Sequence, residues 1–118
     1  MKPLVLCLVL LGLAACASAQ IVQNPTTIQF THADFATVDS YTVGYFSSAS
    51  ATAPVQTAVF PKPGTCAPCA GPLPSRPTAY QTWYVGVQAV AGTVTSAWSA
   101  PLVPFGSVPV APANIVVK

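Results

Sequence analysis

The sequence predicts an all-β domain, an antiparallel sandwich of about seven short strands, and three observations carry that prediction. Residues 83–90 alternate strictly, with Trp83, Val85, Val87 and Ala89 on one side and Tyr84, Gly86, Gln88 and Val90 on the other. That is the period of a strand with one buried face. Several shorter runs repeat the period, separated by Gly, Pro, Asn and Ser clusters of the kind that close strands. Beyond the leading apolar stretch no segment carries a sustained 3.6-residue apolar period, so no helix is expected there.

The leading stretch reads as an export signal. Lys2 precedes an apolar run over residues 4–15, and Ala17, Ser18 and Ala19 stand before Gln20. The run is shorter than the ~20 residues a membrane-spanning helix needs, and small residues flank a cleavage site, so residues 1–19 are expected to be removed. Two cuts are open. One follows Ala19. The other precedes Cys16, because Leu13-Ala14-Ala15-Cys16 resembles the lipobox of bacterial lipoproteins. That resemblance implies a lipid anchor on Cys16, the sole expected membrane attachment, and with Ala17 next it suits outer-membrane retention. Either way the product is secreted or held at the cell envelope, where cysteines pair. Both cuts remove Cys7.

The rest of the chain, taken in order, supplies strands around residues 83–90. Residues 27–31 alternate with Ile28 and Phe30 on one face, and residues 41–46 do so with Tyr41, Val43 and Tyr45 together. Residues 47–53 form a polar loop. Residues 55–60 alternate again and end at Pro61, which cannot donate to a ladder. Residues 61–77 hold six prolines among seventeen residues, a density that excludes helix and interior strand. Ala91-Gly92 then breaks the long alternating run where glycine allows a positive φ, and residues 93–98 begin a second strand that includes Trp98. The domain is expected over residues 21–106, with a proline-containing tail over residues 107–118 that is either a strand or a flexible end.

At residues 83–101 the chain resembles the fibronectin type III family, an immunoglobulin-like fold. The resemblance rests on the aromatic Trp83, the run Val85, Val87, Ala89 and Val90, and the closing Ser96, Ser99 and Pro101. Upstream, Tyr41, Val43 and Tyr45 look like a second strand of that family, and Phe30 stands about where it carries a core tryptophan. Trp83 stands where the family has a tyrosine whose hydroxyl bonds back to the preceding loop. The resemblance implies that the Trp83 indole N–H, or else Tyr80, takes that bond. It also implies that the strand expected between residues 61 and 77 is overwritten, with Leu73 its remnant. Residues 109–117 look like the opening strand of such a module, either the vestige of a following module or a strand offered to another sheet edge.

Composition narrows the function. The 118 residues carry four Lys and Arg, two Asp and one His, with no glutamate, so no basic surface for nucleic acid is available. Cys66 and Cys69 form a CxxC pair amid prolines. A redox-active pair needs a helix N-terminus to lower its thiol pKa, and zinc needs two more ligands, so a structural disulfide is the preferred reading over redox or metal chemistry. His32 with Asp34 or Asp39 lacks a nucleophile elbow, and two acids in one loop do not flank a sugar. No catalytic set and no cofactor are therefore expected. Tyr84 and Phe46 face away from the principal core face, either covered there or stacking on a ligand such as a sugar. The resemblance implies a non-catalytic structural, adhesive or ligand-binding module whose partner is protein or carbohydrate.

Overall fold

The computed structural model describes residues 21–118; the signal read over residues 1–19, and Cys16 within it, lie outside the described residues. The strands are β1 (Val22–Gln23), β2 (Thr27–Phe30), β3 (Ser40–Phe46), β4 (Gln56–Pro61), β5 (Cys69–Pro72), β6 (Thr82–Ala91), β7 (Val94–Thr95) and β8 (Val103–Gly106). Among the described residues the helical content is one 3-10 turn, Phe35–Thr37. The fold is all-β, as the alternating runs predict.

The longest alternating run becomes β6, the hub of the larger sheet. It pairs antiparallel with β3 in a register that sets Val43 opposite Val87 and Gly44 opposite Gly86. The order across this sheet is β1, β8, β6, β3, β4, with β7 also on β6. Gly92, at φ 63°, makes the β6–β7 turn, and the Asp39 carboxylate accepts its N–H at 2.6 Å. One expectation is corrected here. β1 runs parallel to β8, so the sheet is mixed rather than purely antiparallel.

The smaller sheet is β2 paired antiparallel with β5. β5 pairs on one side alone, in keeping with the exclusion of interior strand, and its presence corrects the expectation that the strand between residues 61 and 77 is overwritten. The Leu73 amide donates to the Thr26 carbonyl at 2.9 Å, which sets Ile28 and Phe30 as the β2 residues whose backbones bond toward β5. Pro72 then falls opposite Thr27, a position in the alternation that calls for no N–H toward β2. Proline density excludes a central strand, but not a short strand in that register.

The two sheets meet over one apolar core. Tyr41, Val43 and Tyr45 of β3, Trp83 of β6, Phe60 of β4 and Phe105 of β8 are buried, and Ile28 and Phe30 of β2 pack against them. Phe30 stands edge-on to Tyr41, with ring centroids 4.9 Å apart, and to Phe60 at 5.5 Å. Edge-to-face pairs of this kind add ~0.5–1.5 kcal/mol each beyond the area they bury. Val85, Val87, Ala89 and Leu73 complete the core from its margin.

Trp98 does not join that core. It lies over the opposite face of the large sheet, with its ring 5.3 Å from Phe46 and edge-on to it. A Cβ on Gly44 would come within 2.8 Å of the Trp98 ring, and one on Gly86 within 2.7 Å of Leu102. The paired glycines leave the hollow that these side chains fill.

Candidate functional site

The side chains singled out from the sequence fall into three places. The CxxC pair lies at the start of β5, where Cys66 and Cys69 are joined as a disulfide and Cys69 is buried. No group of three or more His, Cys, Asp or Glu that could hold a metal occurs among the described residues. The loop leaving this pair is fastened from the large sheet. The Tyr45 hydroxyl donates to the Pro74 carbonyl and the Gln56 amide to that of Ser75. Burial pushes the Tyr45 hydroxyl pKa up to about 12, with Arg76 nearby opposing the shift.

His32, Asp34 and Asp39 are not brought together. His32 shares a hydrogen bond of 3.1 Å between its Nδ1 and the Tyr41 hydroxyl. Asp39 caps the β6–β7 turn, and the Asp34 carbonyl accepts from Thr37. A cleft of about 240 Å³ beside His32 is also lined by Ser96 and Ser99, but both hydroxyls are already committed. Ser96 Oγ accepts the Ala89 N–H and Ser99 Oγ the Val87 N–H, each at 2.9 Å. The two serine amides in turn donate to the carbonyls of Ala89 and Val87 at 2.9 Å. Each serine thus satisfies both backbone groups of one β6 residue along the stretch of β6 between its pairings with β7 and with β8. Spaced three apart, they let the chain between them swing out and lay Trp98 on Phe46. The sequence marked these serines as a motif and gave no mechanism for it.

The aromatic pair divides. Phe46 is buried beneath Trp98, so it offers no stacking face, while Tyr84 beside it is half-buried. On the core side the Trp83 indole N–H donates to the Ala79 carbonyl at 3.0 Å, and Tyr80 is largely exposed.

A fourth place was not foreseen. An apolar groove of about 430 Å³ opens between β2 and β8, lined by Val22, Ile28, Phe30, Leu73, Val85 and Val103 among others. It exists because β2 has a partner on one side alone, and β1, two residues long, joins the larger sheet instead. The signal available in the sequence was the scant room for a first strand before Thr27. Compared with protein-family models, with curated proteins and with solved structures, the chain matches none.

Proposed function

We propose that the chain is an exported, non-catalytic module of the fibronectin type III kind, an immunoglobulin-like sandwich with a structural or adhesive role. The observation that carries this reading is the strand arrangement. A β2–β5 pair faces a sheet ordered β8, β6, β3, β4 across one aromatic core, and a short β1 lies parallel to β8. In such a module the loops and edges are the surfaces available to a protein or carbohydrate partner. The polar groups nearest to a catalytic set support the same reading: His32, Ser96, Ser99 and Asp39 are each bonded within the scaffold.

The export half of the proposal is tested by expressing the whole chain in a secreting host and weighing the product intact, with and without reduction. A product starting at Gln20, or one carrying lipid on Cys16, supports it and decides between free and anchored forms. An unprocessed chain retained inside the cell overturns it. A gain of two hydrogens' mass on reduction is expected from Cys66 and Cys69, and free thiols before reduction would remove the structural disulfide.

A further inference from the structure

We propose that the open edge of β2 and the groove beside it receive the C-terminal arm of a second copy of this chain as an added strand. The acceptor side follows from the register. Ile28 and Phe30 bond toward β5, so the backbone groups of Thr27 and Gln29 point to the other edge, where no strand pairs with them among the described residues. Unpaired edges are usually blunted by proline or lysine. β4 ends in Pro61 followed by Lys62 and Pro63, and β5 carries Pro72, but no proline or charge interrupts residues 26–31.

The donor side is the arm itself. The Asn24 side chain holds both backbone groups of Val108, at 3.0 and 3.1 Å, so the arm leaves the domain from a fixed point. Beyond it Val110, Ile115, Val116 and Val117 are 73–92% exposed, an unusual density of bare aliphatic side chains. Asn114, at φ 57°, turns the chain before Ile115, Val116 and Val117. Laid along that edge, Ile115 and Val117 enter the groove while Val116 and Lys118 face out, as period two requires.

The occupant is a second copy rather than the chain's own arm. Pro109 and Pro112 hold the start of the arm extended, whereas covering its own β2 needs an immediate reversal there. A ten-residue arm reaches about 33 Å at strand rise, enough to cross to a neighbour. Two arms exchanged reciprocally bury twice the surface of one, which brings the contact toward the ~1,000 Å² of a specific interface. The inference rests on the two-sheet geometry. It is independent of export, so its failure leaves the processing experiment untouched.

The test is the mass of the chain in solution by light scattering over a thousandfold range of concentration. The full chain is expected to pass from monomer to dimer or longer chains. Deletion of residues 109–118, and separately Ile115→Asp/Val117→Asp on the exposed arm, should each weaken association at least tenfold without unfolding the domain. A synthetic peptide of residues 109–118 should bind the deleted chain and shift the amide signals of residues 27–31. Gln29→Pro, which removes an outward N–H, should abolish that binding. A chain monomeric at every concentration, association undiminished by the deletion, or peptide binding mapped away from β2 would overturn the proposal.

Discussion

Tyr45 and Phe46 are neighbours in β3, and both are buried, at 0% and 1% exposure, yet opposite faces of the sheet cover them by different means. Tyr45 lies under a second sheet, in a core to which five strands contribute aromatic rings. Phe46 lies under one excursion of chain, pinned by two serine hydroxyls and fitted over two glycines. Equal burial therefore conceals unequal redundancy. A defect on the inner face disturbs many contacts at once, whereas one on the outer face releases a single flap.

The largest effect is expected where the inner face is emptied. Trp83→Ala removes a buried indole and its bond to Ala79, at a cost of ~3–5 kcal/mol. Against the ~5–15 kcal/mol total of a typical domain, that should bring the urea midpoint down steeply or abolish folding. A loss below ~1 kcal/mol would mean that the inner core is as dispensable as the flap. On the outer face, Gly44→Val drives a branched side chain into the space of the Trp98 ring, an overpacking worth ~1–3 kcal/mol. The chain has two tryptophans, so their indole N–H signals separate the faces. The Trp98 signal should move and the Trp83 signal stay. Equal movement of both would break the comparison.

Reduction of the disulfide probes the inner cover from its rim. The bond closes a loop of four residues, for which chain entropy allows about 2 kcal/mol. The loosening should be local, because Cys69 is paired with Phe30 at the end of the β2–β5 ladder. Hydrogen exchange is expected to quicken in β5 and at Phe30 and to stay unchanged in β3 and β6. Uniform quickening throughout the larger sheet would show that the small sheet and the core unfold as one unit.

The inner face was legible in the sequence because strand geometry writes it there directly. Tyr41, Val43 and Tyr45, like Trp83, Val85, Val87 and Ala89, sit at spacing two and share a side with no other information needed. The outer flap was not legible. Trp98 occupies a strand-like run, and its place on Phe46 depends on Gly44, far away in sequence and small for a reason visible only once the two strands are paired. β5 was hidden differently, since its tolerance of Pro72 turns on which alternate position faces β2. The groove escaped because it arises from a strand that is short rather than from any residue that is present.

The smallest effect tests how Tyr45 differs from a plain apolar ring. Tyr45→Phe keeps the packing and deletes the hydroxyl bond to the Pro74 carbonyl, so near neutral pH the loss should be about 1 kcal/mol. The pH dependence carries the sharper signature. Burial raises the hydroxyl from 10.0 to about 12, so the folded state holds its proton where the unfolded chain has released it. The stabilisation is complete below pH 10 and is lost as pH climbs from 10 to 12. Phenylalanine has no such proton, so the gap between the two proteins should narrow and reverse within that window. Tyr41, raised by burial as well, leaves a residual slope in both. Unfolding free energies measured from pH 8 to 12 check this, and a gap that stays constant to the top of the range would mean that the Tyr45 hydroxyl ionises as freely in the fold as in the open chain.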